Sequence, residues 1–232
     1  MAESTVQTKS PTHRSSVWMM YSAPTIVFIL LTLFEEKGGD ALYPWIYSLK
    51  IVLVTITLWF CRSTFQDFKW NRLALPAGLA AGVLVFAFWI PLDKITPFHF
   101  DLSARSGFNP FQAIPLLWPR VLFLTIRFYG LVIMIPLVEE LFWRSFLPRF
   151  ITNMDGDFQK LEVGEFSVIA LLVSSLFFGL AHPEWLSGIL CGIVYGFTLR
   201  RTRSLYAPLI AHSLTNLLLG IAILHTHAWI YW

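Results

Sequence analysis

Long apolar runs determine what this chain can fold into. An α-helix rises about 1.5 Å per residue, so about 20 apolar residues cross a hydrocarbon core of about 30 Å. Five runs carry no formal charge and two contain a single basic residue: Trp18–Phe34, Leu73–Leu92, Phe166–Ala181, Trp185–Leu199 and Leu205–Leu224, then Tyr43–Cys61 and Val121–Val138. We therefore expect an all-α, polytopic membrane helical bundle of about seven to eight transmembrane helices.

The composition excludes an ordinary soluble domain. Of the 232 residues, 56% are hydrophobic and 13% are charged, and the mean hydropathy is +0.63, whereas a soluble domain carries about 25% charged residues. The formal net charge of +3 does not indicate a nucleic acid partner in such a chain, and we expect none. The lipid bilayer is the expected surrounding of the protein.

The basic residues predict the orientation of the bundle. If the apolar runs alternate in direction, eleven basic residues fall on the side of the N-terminus and four on the other side. Because Lys and Arg are enriched in cytoplasmic connections, we expect a cytoplasmic N-terminus, seven spans and an external C-terminus. The predicted organisation is a cytoplasmic tail over 1–16 and a single membrane domain over 17–232, with a motif-bearing core over about 121–224.

Two sets of small residues predict packing and no chemistry. Cys61 and Cys191 lie in apolar runs, so we expect two buried small side chains and neither a disulfide nor a thiolate metal site. Gly188, Gly192 and Gly196 recur at every fourth residue, which places them on one helix face where another backbone can come close.

Three further features are interpreted as belonging to the membrane interface. Lys50 and Arg127 interrupt apolar runs and are interpreted as snorkelling or paired residues. The connection over 93–119, rich in Pro, Phe and Trp, predicts an outer loop or an interfacial segment. The terminal stretch HTHAWIYW predicts an interfacial aromatic belt.

Ionisable and amide side chains occur in the C-terminal apolar runs, where their burial is costly and usually functional. They are Glu139, Glu140 and Arg144 in EELFWR, His182 in FGLAH, and His212 and Asn216 in HSLTN. Glu140 and Arg144 are four residues apart, as are His212 and Asn216, so each pair shares a helix face. Glu139 lies about 100° from its neighbour around the helix and can face elsewhere.

Taken singly, most of these residues have a structural interpretation. Glu140 and Arg144 predict an ion pair, and structure is the favoured role for both. A lone histidine could cap a helix, and a His–Asn pair could join two helices. Glu139, however, has no evident neutralising partner, and a buried carboxyl is suited to proton transfer. A Glu, two His and an Asn on three apolar helices are hard to explain as packing.

Two chemistries fit this set of side chains. In the first, Glu139 and His182 hold and deprotonate a water, and His212 and Asn216 donate hydrogen bonds to the oxyanion formed at a peptide carbonyl. In the second, Glu139, His182 and His212 ligate Zn²⁺ and leave one position for water. The chain has no HExxH helix, and Asn is a poor zinc ligand but a good oxyanion donor. We therefore favour the metal-free chemistry.

The motifs around these residues resemble those of one known family. EELFWR (139–144) is similar to an EExxxR motif, FGLAH (178–182) to FxxxH and HSLTN (212–216) to HxxxN. They stand in the same order as in the CAAX protease and bacteriocin-processing (CPBP, or Abi) family, which includes the type II CAAX prenyl endopeptidases. The resemblance covers about 129–224.

The resemblance implies a glutamate-type intramembrane endopeptidase whose core helices form a cavity that opens to the membrane. In that family's pattern, Glu139 is the general base and His182 helps to activate water, while His212 and Asn216 form the oxyanion hole. Glu140 and Arg144 support them, and the resemblance implies no cofactor. The expected substrate is a membrane-associated protein or peptide.

The compact length and the ending LGIAILHTHAWIYW are similar to a bacterial subgroup, the CAAX prenyl protease-related proteins associated with exosortase and PEP-CTERM systems. This similarity implies the bacterial inner membrane as the location and exosortase-system proteins as partners. It also implies that the substrate need not be prenylated and can instead be C-terminally anchored.

Two other functions and one geometric difficulty remain open from the sequence. A non-catalytic immunity or scaffold protein of the same fold has no need for all four polar residues, and a proton-relay transporter is expected to spread them along a path.

In the predicted topology, His182 lies about 24 Å and His212 about 10 Å from the cytoplasmic side. The two can meet if the helix of His182 begins earlier, near Glu162, or if the helix of His212 begins before Leu205.

Overall fold

A computed structural model of the chain describes residues 11–98, 107–154 and 157–232, and within them every long element is a helix. The predicted tail over 1–16 lies mostly outside this part of the chain. The helices are α1 (Pro11–Glu35), α2 (Gly39–Phe60), α3 (Ala74–Ile95), α4 (Pro110–Ala113), α5 (Leu117–Thr152), α6 (Val168–Leu180), α7 (Trp185–Thr202) and α8 (Tyr206–Thr226).

Seven of these helices are apolar and form the membrane bundle. By length and composition, α2, α3, α5, α8 and the part of α1 over Val17–Glu35 can each cross a membrane. The helix α6 is apolar but has only 13 residues, and α7 has 18 residues and ends in Arg200 and Arg201. The all-α polytopic bundle predicted from the apolar runs is confirmed, and the chain is an integral membrane protein.

Pairwise packing places three helices around one interior space. In the described residues, α8 packs most extensively on α3, α6 packs on α7, and α1 packs on α2, while α5 contacts α8 through its middle. The motif-bearing helices α5, α6 and α8 therefore face a common region, and α2 and α3 close its sides.

The helix α5 is longer than its apolar run predicts. The run ends at Val138, but the helix, which has 36 residues in all, continues through both glutamates and Arg144 to Thr152. It widens into π-helical turns at Gly130–Met134 and Glu140–Phe146, each of which ends two residues before a proline. A proline ring clashes with the carbonyl four residues earlier, and a wider turn relieves that clash. The charged motif thus lies within a helix and does not follow its end.

One end of the bundle is fastened by buried polar contacts that the sequence does not reveal. Arg149 Nη2 of α5 lies 2.5 Å from Asp67 Oδ2 in the turn after α2. Ser145 and Tyr21 also donate to this carboxylate, and Ser204 Oγ donates to the carbonyl of Lys69 at 2.6 Å. These contacts join the α2–α3 and α7–α8 connections to each other and to α1 and α5 at one end, as expected for helices that alternate in direction.

The glycine face predicted on α7 is confirmed, because α6 packs directly against it. A Cβ built on Gly188 would lie 2.8 Å from the Cα of Gly179, and a Cβ built on Gly192 would lie 2.8 Å from the Cα of Ser175. Both contacts are with backbone, which cannot rotate away. Cys61 and Cys191 are free and buried, as predicted.

Substitution of Gly192 by Ala is expected to destabilise the protein by about 1–3 kcal/mol, the usual cost of overpacking a filled interior. The added methyl group forces α6 and α7 apart near Ser175. Unfolding of the purified protein in detergent measures the effect. The matched control is Leu190→Ala on the exposed face of α7, which is expected to change stability little; equal stability of both variants would contradict the close packing.

The outer face of α6 is apolar and exposed. Side chains spaced along one side of this short helix leave a third or more of their surface uncovered: Val168, Ile169, Leu172, Leu176, Phe177 and Leu180. In an integral membrane protein, such a stripe lies against lipid.

Candidate active site

The four residues predicted to carry the chemistry lie around one cavity of about 300 Å³. Glu139 comes from α5, His182 from the end of α6, and His212 and Asn216 from one face of α8. Residues from three helices thus meet, as the motif pattern predicts.

Glu139 presents a carboxylate oxygen that has no hydrogen-bond partner among the described residues. The residue is 6% exposed and ends the α-helical segment that precedes the second π turn. Its Oε2 atom is buried without a hydrogen bond and lies 3.7 Å from Nε2 of His212, too far for a direct hydrogen bond. A buried acceptor in this state is suited to receive a hydrogen bond from water or from a substrate.

His182 turns back along its helix toward the other site residues. It follows α6, and its Nδ1 lies 2.7 Å from the carbonyl oxygen of Phe178. Because a carbonyl only accepts, Nδ1 carries the hydrogen, and Nε2 of the neutral ring is an acceptor. The Phe178 ring lies 4.5 Å from the His182 ring and 6.2 Å from the His212 ring, so it joins the two histidines.

His182 and His212 meet at the cavity although the sequence placed them at different distances from the cytoplasmic side. The expectation that their helices begin earlier is wrong, because α6 begins only at Val168 and α8 begins at Tyr206. Side chains on a helix lean toward its N-terminus, and the bond to the Phe178 carbonyl draws the His182 ring further in that direction. His182 therefore reaches the cavity from the end of a short helix.

Glu140 has two partners, one predicted and one not. The predicted pair is present, with Arg144 Nε lying 3.4 Å from Glu140 Oε2. In addition, Nδ1 of His212 donates to Glu140 Oε1 at 2.8 Å. The glutamate is fully buried. It therefore holds His212 in one orientation, with Nε2 directed toward Glu139.

Arg144 is held mainly by aromatic rings. Its guanidinium carbon lies 3.9 Å from the centroid of Phe178 and 5.4 Å from that of Tyr195. Both Nη atoms are buried without a hydrogen-bond partner in the described part of the chain. The charge of Arg144 thus depends on Glu140 and on cation–π contacts for its stabilisation.

Asn216 lies one helical turn after His212 and is anchored to the first π turn of α5. Its Nδ2 donates to the carbonyl of Leu131 at 2.8 Å. A π turn shifts the backbone hydrogen bonds from the i+4 to the i+5 position, which leaves such a carbonyl available to an outside donor. The amide nitrogen carries a second hydrogen that can be donated to a group in the cavity.

The same cavity extends to the two charged residues that the sequence predicted either to snorkel or to pair. Lys50 is 2% exposed and its Nζ lies 2.6 Å from Glu35 Oε2, so it is paired and does not snorkel. Arg127 is 9% exposed. Trp232 is also buried and lines the cavity, which corrects its interpretation as part of an interfacial belt. Only a prediction of distant helix contacts could have placed these residues together.

In the part of the chain that the structure describes, no three His, Cys, Asp or Glu side chains are grouped so that they could hold a metal ion. The metal-free chemistry remains a prediction, to be tested by experiment.

Comparison with known proteins identifies the motif-bearing region. Residues 119–218 match the model of the Rce1-like family, described as type II CAAX prenyl endopeptidase Rce1-like. No curated protein and no solved structure matches the chain. The matched region contains all four cavity residues as well as Glu140 and Arg144, and the family implies protease activity in general terms. Over this region, the chain is similar to the Rce1-like type II CAAX prenyl endopeptidases.

Proposed function

We propose that the protein is an intramembrane endopeptidase of the glutamate type that hydrolyses a peptide bond of a membrane-associated substrate. The observation that carries this proposal is the buried Oε2 of Glu139, which makes no hydrogen bond among the described residues and faces His212 in a cavity shared with His182 and Asn216. A general base needs an acceptor atom that can receive a proton from its water, and an oxygen without a hydrogen bond meets this need.

The first step is the attack of water on the peptide carbonyl. The water lies between Glu139 and Nε2 of His182, both of which act as acceptors. Its oxygen bonds to the carbonyl carbon as one of its protons passes to Glu139, and the carbonyl oxygen becomes an oxyanion. Removal of a proton by a positioned base accelerates such a step by about 10²- to 10⁴-fold.

The oxyanion is stabilised from α8. Asn216 supplies an N–H of its amide, and His212 supplies an N–H at Nε2. Because Nδ1 of His212 already donates to Glu140, the donor role requires a ring that is protonated on both nitrogens. Glu140 and Glu139 flank the ring and provide the negative charge that a buried cation needs.

The second step breaks the peptide bond. The proton held by Glu139 passes to the amide nitrogen, the C–N bond breaks, and the oxyanion returns to a carbonyl. The products are a new carboxyl terminus and a free amine, and Glu139 is again a carboxylate. The cycle consumes one water and needs no oxidant, reductant or cofactor.

We further propose that the substrate is a prenylated or C-terminally anchored protein and that the enzyme works in a bacterial inner membrane with its N-terminus in the cytoplasm. Exosortase-system proteins are the proposed partners. The bias of basic residues toward one side of the bundle supports the orientation. A non-catalytic scaffold would not require a buried carboxylate oxygen that lacks a hydrogen bond at the cavity.

Comparison of membrane proteomes tests the proposed function directly. Cells that produce the wild-type chain are expected to contain shortened forms of at least one membrane protein, which accumulate uncut in cells that produce Glu139→Ala. Mass spectrometry of protein C-termini measures this difference. Equal expression of both chains is the control, and identical C-termini in both proteomes would contradict protease activity.

A further inference from the structure

The connection between α2 and α3 contacts two of the helices that carry site residues. Asp67, in this connection, bonds to α5. The next residue, Phe68, packs on the first residue of α8, with its ring centroid 5.3 Å from that of Tyr206. Neither Asp67 nor Phe68 lies in one of the three motifs, and the proposed mechanism uses neither. Two neighbouring residues therefore join the helix of Glu139 to the helix of His212.

The contact of Asp67 with α5 is a closed set of hydrogen bonds. Asp67 is 7% exposed, and its Oδ2 accepts from Arg149 Nη2 and from Ser145 Oγ. Arg149 Nη2 also donates to Ser145 Oγ at 2.6 Å, and its Nε donates to the Ser145 carbonyl at 2.6 Å. One ion pair would neutralise Asp67. The additional bonds fix the position of Ser145.

Ser145 belongs to the second π turn of α5, which covers Glu140–Phe146. Hydrogen bonds in a π turn join residues five apart, and Glu140 and Ser145 have this spacing. If the turn returned to α-helical geometry, it would lose one residue, and the helix before it would rotate by about 100° relative to Ser145. Glu139 and Glu140 would then face away from His212. The catalytic geometry therefore depends on this turn being held.

The start of α8 is held by the same connection. Besides the contact of Phe68 with Tyr206, Ser204 Oγ donates to the carbonyl of Lys69 at 2.6 Å. Tyr206 is six residues before His212, or about 9 Å along the helix. His212 bonds to Glu140 at 2.8 Å, so a shift of α5 against α8 by about 1 Å would break this hydrogen bond.

We propose that Asp67 is a positioning residue of the active site, which holds the second π turn of α5 against α8 so that Glu139 and Glu140 face His212. Its effect on the rate rests on the proposed endopeptidase function. Among the described residues, Asp67 does not line the cavity. It acts through Ser145, and a connection at the end of the bundle thereby sets the position of the base.

The experiment compares two donors to the same carboxylate. Ser145→Ala removes the donor on α5. Tyr21→Phe removes the donor on α1 and keeps the ring that packs on Phe146 and Phe158. If Asp67 only stabilises the fold, both variants lower the unfolding temperature and neither changes the rate of the folded protein. If Asp67 positions the site, only Ser145→Ala changes that rate.

Rates are measured with purified protein in phosphatidylcholine vesicles, at a temperature at which the unfolding curves show every variant to be folded. A mixed library of peptides with a hydrophobic anchor is screened by mass spectrometry, and the peptide that is cut fastest is used. Ser145→Ala is expected to lower kcat about 10- to 100-fold and to leave KM within about twofold, because a base displaced by about 1 Å is less effective on a substrate that still binds. Tyr21→Phe is expected to keep the wild-type kcat.

A second measurement needs no substrate. In protein labelled with ¹⁵N-histidine, the Nδ1–H of His212 that bonds to Glu140 gives an NMR signal, which is assigned by its loss in His212→Gln. We expect this signal to be unchanged in Tyr21→Phe and to shift or broaden in Ser145→Ala. Phe68→Leu loosens the contact with α8 and is expected to act as Ser145→Ala does, which covers the case of a Ser145 variant that does not fold.

The outcomes separate the possible failures. Wild-type kcat and an unchanged His212 signal in both Ser145→Ala and Phe68→Leu overturn the positioning role. An equal loss of kcat in Tyr21→Phe and Ser145→Ala also overturns it, because the effect would then follow stability. If the wild-type protein cleaves no peptide but the His212 signal changes as expected, the proposed function fails and the placement of His212 by Asp67 stands.

Discussion

Purified Glu139→Gln protein is expected to cleave peptides about 10²- to 10⁴-fold more slowly than the wild type, with little loss of folded protein. Gln has the shape of Glu, but its amide cannot take a proton from water. Because Glu139 Oε2 has no hydrogen-bond partner among the described residues, the substitution breaks no hydrogen bond of this atom, and Glu140 still pairs with His212. Initial rates in vesicles and thermal unfolding in detergent measure the two effects.

The control for the Glu139 variant is Glu162→Gln, which makes the same chemical change on an exposed residue and is expected to leave the rate unchanged. Full activity of Glu139→Gln would refute the assigned base. The same assay also tests the zinc alternative: we expect the wild-type rate to persist with a chelator. A rate that falls with chelator and returns with stoichiometric Zn²⁺ would contradict the metal-free mechanism.

Glu140→Leu is expected to destabilise the protein by about 3–5 kcal/mol, because it leaves Arg144 as an unpaired charge in the interior. The double variant Glu140→Leu with Arg144→Met removes both charges and is expected to recover most of this loss. Buried ion pairs can often be replaced by apolar residues of similar size at little cost in stability. Unfolding of the single and double variants in detergent gives the comparison.

The Glu140 variants are expected to rank differently in activity than in stability. In the stable double variant, Nδ1 of His212 has lost its acceptor, so the ring no longer holds one orientation. We expect a rate about 10- to 100-fold below the wild type, which is the usual effect of removing a residue that orients a metal ligand. Glu140→Gln keeps an acceptor oxygen and is expected to be more active than the double variant. If the double variant recovers stability and the full rate together, Glu140 does not position His212.

The sequence was sufficient to predict those parts of the structure that depend on local periodicity. Apolar runs predicted the membrane helices, and the spacing of Glu140 with Arg144 and of His212 with Asn216 predicted which side chains share a face. The glycine spacing on α7 predicted its close contact with α6. In each case, neighbours along a helix are fixed by 3.6 residues per turn.

Contacts between distant segments could not be predicted in this way. Glu140 and His212 are 72 residues apart, and nothing in either motif shows that one accepts a hydrogen bond from the other. For Lys50 and Arg127 the sequence left snorkelling and pairing open, and only the packing of the helices shows that Lys50 is buried and paired with Glu35. The spacing of Glu140 and Arg144 predicted a helical turn beyond Val138, but not that α5 continues unbroken to Thr152, because charged residues usually end a membrane span, whereas here their partners are inside the bundle.

The short length of α6 has a consequence for the bilayer around it. Thirteen residues rise about 20 Å, well below the hydrocarbon thickness of about 30 Å, and the exposed outer stripe of this helix faces the acyl chains. Lipids beside α6 are expected to compress or tilt to match it, which would thin the membrane next to His182. Water and polar headgroups would then approach the end of α6 more closely than they would beside a full-length span. Under the proposed function, this thinning brings water, the second substrate of the reaction, close to the buried site.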